Sequence, residues 1–496
     1  MRILVFLTSA ILLHTFSLQV LAQHTDYKLL WEISGNGLEK PSFLFGTIHI
    51  QDKRAFEFSD SVLLALEACE TFAMELHPDS VVRQAFRTFF KSGGVSDKPK
   101  RPSIRTWLTQ AEYDSLAVKF RKKTGFELRQ FEHESPLVIE GMMEEDTRVA
   151  KDKATFLDAW LSQMARVQGK RIVGLETYQE QIQSSEAAEH TDPGNRLKAL
   201  LGEPAHQTTR LMAQHIMMDQ LIERYRKGDI DQIYAYYERY AKSPEGQQYV
   251  DHLLVRRNRN MYERLVPEIH RAPTFIAVGT AHLPGEEGLI ELLKKGGYRM
   301  RPVTATFTGV AAKYTPKKVA IPWKTYTNET TGYSLQMPQF PFSYSPENLP
   351  VDMYLYPELG TGLVYMTMSL PLGDKDLTPK TALEAMISKM TEDGKSELIK
   401  KKKIRFEGHE GRQFVMKVKD EGYMKGNLVF RQGHVYFNML QSQRLEMLES
   451  EYSKRFFESL KFLPIPQTPW QGFESDAGAF ALKCPPVSRK LQKLVH

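Results

Sequence analysis

The chain has only two cysteines in 496 residues, Cys69 and Cys484. That scarcity excludes a cysteine-rich zinc site, which needs several thiolates at fixed spacing. In an oxidising compartment the two can pair. Otherwise one is a buried thiol in a helix and the other belongs to a loose tail; both alternatives stay open. Long apolar runs are also scarce, and beyond the first residues no stretch is long enough to span a bilayer. Excess charge is small, +6, so composition does not point to nucleic acid, which calls for a concentrated basic face. The densest basic run, Lys400 to Lys403, reads as a solvated strand edge. What remains, 42% hydrophobic and 25% charged, is ordinary for a globular protein. It leaves room for two or three domains at roughly 150 residues each.

The first residues read as an address. Arg2 precedes an apolar stretch from Ile3 to Leu13, and Val20-Leu21-Ala22 precedes Gln23. A short basic start, an apolar core and a small residue at a cut site predict a secretory signal peptide over 1–22. No cysteine follows the cut, so no lipoprotein anchor is expected. The expected product is exported, periplasmic or secreted, with no transmembrane segment after signal removal.

One motif occurs twice. Ser42-Phe43-Leu44-Phe45 ends in Gly46-Thr47-Ile48-His49, and Thr274-Phe275-Ile276-Ala277-Val278 ends in Gly279-Thr280-Ala281-His282. Chance supplies about one Gly-x-x-His from 31 glycines and 14 histidines, and no other histidine has glycine three residues before it. Each apolar run reads as a buried strand. Each glycine permits a turn or a close backbone approach. Each histidine then falls at a strand's carboxyl end, where open α/β sheets place ligands.

The rest of the first domain alternates strands and helices. Residues 28–34 and 42–48 predict a hairpin about Gly35-Asn36-Gly37, and Ser59-Asp60 caps a helix. Thr71 to Leu76 is a third strand with Glu75 near its end, and Arg171 to Glu176 is a fourth, closed by Glu176. Helices are predicted over 155–168 and 248–269. In the second, Arg257 and Asn258 share the apolar stripe of Val250, Leu254, Met261 and Leu265. An inward charge is costly unless paired. Arg257 therefore either reaches a buried carboxylate or substrate, or runs along the core's rim. Tyr298 to Phe307 is the last predicted strand.

The expected fold is thus α/β to α+β: a mixed sheet flanked by helices over 27–307, a linker at 308–322, a smaller α+β domain with an antiparallel sheet over 323–464, and a proline-containing tail at 465–496. In the second domain a strand is predicted over 332–338, β-rich runs near 396–407, 412–419 and 423–441, and helices after Thr378-Pro379 and over 446–460. No cluster of ligand-type residues is seen there.

His49, Glu75 and His282 form the best constellation. Two imidazoles and a carboxylate suit a divalent transition metal with an open position for water, and such a metal yields hydroxide near neutral pH. Glu176 would be a further ligand or a general base. Alternatively no metal binds, and one histidine activates water while Glu75 orients it. Histidines that merely cap strand ends are the bland alternative, and His77 is a spare candidate.

These segments resemble the TraB/GumN family, which includes the Tiki metalloproteases and is distantly similar to erythromycin esterases and the ChaN-like haem-binding fold. The matching stretches are Phe45-Gly46-Thr47-Ile48-His49, Ala73-Met74-Glu75-Leu76, Gly174-Leu175-Glu176-Thr177 with Gln181, Arg257-Asn258 with Met261, and Val278-Gly279-Thr280-Ala281-His282-Leu283-Pro284-Gly285 leading to Gly297-Tyr298. The resemblance covers roughly residues 27–305. It implies that His49, Glu75 and His282 form the active site, with Glu176, Arg257 and Asn258 at recurrent positions. The Tiki branch implies a metal-dependent peptidase with manganese or cobalt, and zinc is a further candidate metal. The esterase branch implies histidine and glutamate without metal, and the ChaN-like branch a non-catalytic metal or haem binder. The C-terminal region resembles PsbP-like proteins, which implies a binding module; a scaffold in envelope polysaccharide export is a further alternative. The leading expectation is an exported hydrolase acting on a peptide or ester, with oligomeric state open.

Overall fold

The computed structural model describes residues 27–90, 102–143, 150, 152–188, 193–202, 216–308, 315–344, 351–372, 378–392, 394–419, 421–465, 471–474 and 481–484. The expected signal peptide lies outside them. Two compact units emerge: residues 1–321 with Pro357–Gly362, and residues 322–356 with 363–496.

The first unit is built on six strands: β1 (Leu30–Ser34), β2 (Ser42–Thr47), β3 (Thr71–Leu76), β4 (Arg171–Glu176), β5 (Thr274–Gly279) and β6 (Arg299–Pro302). Their order is β4-β3-β5-β2-β1-β6. β4, β3, β5 and β2 are parallel, whereas β1 is antiparallel to both β2 and β6. The central strand carries the apolar run Phe275-Ile276-Ala277-Val278, all fully buried. A strand buried on both faces needs cover on both. The helices Asp60–Ala68, Leu157–Val167 and Arg256–Arg271 supply much of it. Phe72 and Phe275 stack across neighbouring strands at 5.9 Å. Each such side chain contributes about 1.5–3 kcal/mol by leaving water.

The helix Arg256–Arg271 is entered through a π turn, Asp251–Val255, in which the Arg256 N–H reaches back to Asp251 O. The predicted last strand is shorter than its apolar pattern. Past Pro302 the chain caps a helix: Thr306 N–H donates to Ser59 Oγ at 3.1 Å, and Thr306 O accepts from Asp60 N–H at 2.9 Å.

The second unit has β7 (Lys324–Asn328), β8 (Tyr333–Met337), β9 (Phe342–Tyr344), β10 (Met353–Glu358), β11 (Leu363–Pro371), β12 (Ser396–Phe406), β13 (His409–Val418), β14 (Gly422–Arg431), β15 (His434–Ser442) and β16 (Lys461–Phe462). Seven strands form one sheet, β12-β13-β14-β15-β11-β10-β9, and three form another, β16-β8-β7. The helix Pro379–Thr391, capped by Thr378, buries Leu383 and Ile387 with Phe414, Leu428 and Phe437. The β-rich run 423–441 is a hairpin turning at Gln432-Gly433, both with positive φ. The lysine run lies exposed on edge strand β12. In the tail, Gln471–Glu474 pairs with Ala481–Cys484. Cys69 is buried with a free thiol. Among the described residues, no helix is long and apolar enough to cross a membrane.

Candidate functional site

Parallel pairing of β4, β3, β5 and β2 sends their carboxyl ends to one edge of the sheet. Glu176 ends β4, Glu75 stands one residue before the end of β3, His49 follows β2, and His282 closes a short turn after β5.

The two glycines allow the ends to close up. A Cβ at Gly46 would meet Thr280 Oγ1 at 3.0 Å and its Cα at 3.3 Å, and one at Gly279 would begin 3.1 Å from Glu75 Oε1. Neither has a positive φ, so what they provide is closeness. Thr280 Oγ1 donates to Thr47 O at 2.8 Å, and Tyr225 Oη donates to Gly46 O at 3.0 Å. The end of β2 is thereby fixed from two sides.

Glu75 sits at the centre. Its Oε1 accepts from the Gly279 N–H at 2.6 Å, and its Oε2 accepts from Arg257 Nη2 at 2.7 Å and Gln181 Nε2 at 3.3 Å. Burial opposes its ionisation, but His282, Arg257, the Gly279 N–H and His49 outweigh burial and hold the carboxyl at about 2. His282 is itself neutral at neutral pH, so there the guanidinium and the backbone N–H carry the effect.

Arg257 points inward and joins two carboxylates. Nε and Nη2 fork onto Glu176 at 2.9 and 2.6 Å, Nη2 also reaches Glu75, and Nη1 donates to Leu253 O at 3.2 Å. The Glu176 side chain is 1% exposed. Its burial raises the pKa, Arg257 opposes the rise, and Glu75 adds to it. One guanidinium between two carboxylates leaves a negative surplus. Arg257 is committed to these carboxylates, so it holds the site together instead of meeting substrate.

His282 is buried and its tautomer follows from its neighbours. Asn258 Nδ2 donates to Glu287 O at 2.8 Å, which turns Asn258 Oδ1 toward His282 Nδ1 at 2.7 Å. Nδ1 is then the donor and Nε2 keeps its lone pair. Nε2 lies 3.9 Å from Glu75 Oε1. Burial pushes the imidazole down to about 4, Glu75 opposes this, and Arg257 adds to it.

His49 has the opposite character. Its Nδ1 lies 3.1 Å from Asp158 Oδ2, and the other Asp158 oxygen accepts from Thr47 Oγ1. The ring lies 3.8 Å from that of Phe156. Protein atoms surround it, yet 69% of its side-chain surface is open, because it lines cavities. The surrounding protein lowers its pKa, but the hydrogen bond and charge of Asp158, with Glu75, reverse this and raise it. His49 and His282 both line a cavity of about 1040 Å³. His49 and Glu75 line a smaller one of about 270 Å³.

The first unit matches the model of the TraB/PrgY/gumN family over residues 29–302. The chain belongs to that family. None of the curated proteins compared matches it. Three solved structures are similar to parts of it. CyanoP, the cyanobacterial PsbP of Synechocystis sp. PCC 6803, is 12% identical and covers 30% of this chain and 97% of its own, with a TM-score of 0.25. PA94 of Pseudomonas aeruginosa, described as a protein of unknown function and putative regulator, is 14% identical over 29% and 99%, TM-score 0.20. The Ran-binding protein Mog1p of Saccharomyces cerevisiae is 10% identical over 29% and 96%, TM-score 0.22.

The sequence alone leads one to expect a metal at His49, Glu75 and His282. As placed, these residues do not close into a coordination set. Among the described residues no group of three or more His, Cys, Asp or Glu side chains stands ready to hold a metal ion, and both Glu75 oxygens already accept from Arg257, Gln181 and Gly279. His77 Nδ1 is buried without a hydrogen-bond partner. Asp158 is the site residue that sequence reasoning missed. It lies in the first turn of the helix Leu157–Val167, where an acid reads as a partner for the helix dipole. The available signal was that it is a charge beside the apolar Phe156, Leu157 and Leu161.

Proposed function

We propose that this protein is a hydrolase in which His49 activates water for attack on an ester or peptide carbonyl. The observation that carries this reading is the His49–Asp158 pair: an imidazole fixed at Nδ1 by a buried carboxylate, with its remaining face open to a cavity sized for an organic substrate. A raised pKa makes neutral His49 a stronger base. His49 Nε2 takes a proton from water as the water oxygen bonds to the carbonyl carbon, and it then returns that proton to the leaving alcohol or amine. Asp158 stabilises the imidazolium formed in between. Ionised Glu75 and the lone pair of neutral His282 Nε2 are two acceptors that orient the polar hydrogens of water or substrate. Arg257, Glu176 and Asn258 position these groups. The leader-like residues 1–22 support export of the product.

A second reading, metal-assisted hydrolysis, is favoured by one observation. Both imidazoles are held at Nδ1 by an oxygen acceptor, Asp158 for His49 and Asn258 for His282, as metal-ligating histidines are. His49, Glu75 and His282 would have to draw together around manganese, cobalt or zinc, which would supply a Lewis acid.

Hydrolysis of 4-nitrophenyl esters and peptide libraries by wild type, His49→Ala and His282→Ala, with elemental analysis of each, tests both readings. Turnover that survives a chelator and disappears in His49→Ala is the expected result. About one metal per chain, lost in both variants together with activity, selects the second reading. No hydrolysis under any condition would return the site to a binding role.

A further inference from the structure

The walls of the larger cavity carry a charge asymmetry that the reaction does not use. Among the described residues they include Arg224, Arg239 and Arg257 but no aspartate or glutamate. Arg257 is neutralised from behind by Glu75 and Glu176. The other two are not. Arg224 spends one donor on Gln232 O at 3.4 Å and Arg239 spends Nε on Ala235 O at 3.1 Å, both backbone carbonyls. Among the described residues neither has a carboxylate partner. The nearest acids on the helix over 216–226 are already used: Asp219 by Arg54, and Glu223 by Arg54 and Arg226.

The same wall is otherwise largely apolar and aromatic, with Met217, Met218, Leu221, Ile233, Tyr236 and Tyr237. Met217 is 53% and Tyr236 46% exposed. Large apolar side chains left open beside a cavity mark a surface that something apolar covers. Methionines adapt to varied shapes. Guanidinium groups with spare donors bind carboxylates with charge-assisted, often paired hydrogen bonds.

We propose that this cavity selects substrates that carry a free carboxylate on an apolar chain, with the carboxylate on Arg224 and Arg239 and the scissile carbonyl toward His49. The orientation of the scissile carbonyl rests on the hydrolase reading; the carboxylate site does not. Two sources share this chemistry, a fatty-acid-like ester and a peptide ending in apolar residues with a free C-terminus.

The test compares the full-length wild type with the double variant Arg224→Gln/Arg239→Gln. The substrates are 4-nitrophenyl octanoate, the 4-nitrophenyl half-ester of octanedioic acid, and an apolar pentapeptide with a free or amidated C-terminus. Decanoate and decanol binding is measured by calorimetry in parallel. The expected result is a kcat/KM ratio of acid to neutral substrate of about tenfold or more in wild type, since charge-assisted bonds are the strong ones, collapsing toward one in the double variant. Arg→Lys at both positions recovers part of the preference. A preference confined to the ester pair, or to the peptide pair, identifies the source. Decanoate binding that is lost in the double variant, without turnover of any substrate, would uphold the carboxylate site and reject the hydrolase. Equal turnover of acid and neutral substrates, with decanoate bound alike by both proteins, overturns the carboxylate site and leaves the hydrolase standing.

Discussion

Arg257 shows at the scale of one residue why the site holds its shape. Two carboxylates approach one guanidinium inside the protein, and each is tolerable only because the guanidinium is there. Removing it leaves buried charge unpaired, whereas removing a surface pair costs little. Arg257→Met should therefore lower unfolding free energy by about 3–5 kcal/mol in urea titration. Arg257→Lys should recover only part of this, because an ammonium cannot fork onto Glu176 while reaching Glu75. An unchanged midpoint in Arg257→Met would show that neither carboxylate is charged in the folded protein. Arg257 was visible in the sequence as a cation on an apolar stripe, but its partners were not. Glu176 lies 81 residues away and Glu75 lies 182 residues away, a separation that no local pattern encodes. Asp158 was hidden for a different reason: its neighbours in sequence already explain an acid at a helix start.

At the scale of elements, the strand ends do the positioning. The runs 71–76 and 171–176 were legible residue for residue, because apolar alternation closed by a carboxylate has few other readings. Where tertiary contacts compete, the pattern misled. Residues past Pro302 look β-like, yet their backbone is spent on capping the helix Asp60–Ala68. The turn within the β-rich run 423–441 is hidden because Gln432 and Gly433 interrupt no apolar stripe. The strands at 353–358 and 363–371 have no counterpart among the elements the sequence predicts. The glycine pair gives a prediction for this scale. A Cβ at Gly279 would press on Glu75 Oε1 at 3.1 Å and loosen its hold on the Gly279 N–H. Gly279→Ala should cut kcat by roughly tenfold or more, the scale of losing one oriented charge-assisted bond, and should move the urea midpoint less than Gly46→Val does. Gly46→Val meets backbone at 3.3 Å and should instead destabilise the fold. Equal behaviour of the two variants would contradict the distinct roles assigned to them.

For the whole molecule, the site makes folding depend on pH. His282 is depressed to about 4 in the folded protein. Its contribution is complete above its ordinary value near 6.5 and is lost as pH falls toward 4, about 3 kcal/mol at most. Glu75, held at about 2, adds a loss between roughly pH 4.5 and 2. His49 is raised and acts in the opposite sense: its contribution is present below its ordinary value and is lost as pH rises through the folded one. The protein should therefore lose stability from pH 6.5 to 4 in urea titrations, and His282→Gln should flatten that slope. A slope unchanged by His282→Gln would place the acid sensitivity elsewhere.

The pH dependence of kcat/KM for a cleaved ester, in wild type and in Asp158→Asn, is the most direct test of His49 as the base. The base must be neutral to accept a proton, so activity should rise with pH through the raised pKa of His49. Asp158 is the main cause of that rise, so Asp158→Asn should move the acid limb to lower pH as well as reduce the maximum. A limb that stays in place in Asp158→Asn, or activity that survives His49→Ala, would contradict the assignment of His49 as the group that activates water.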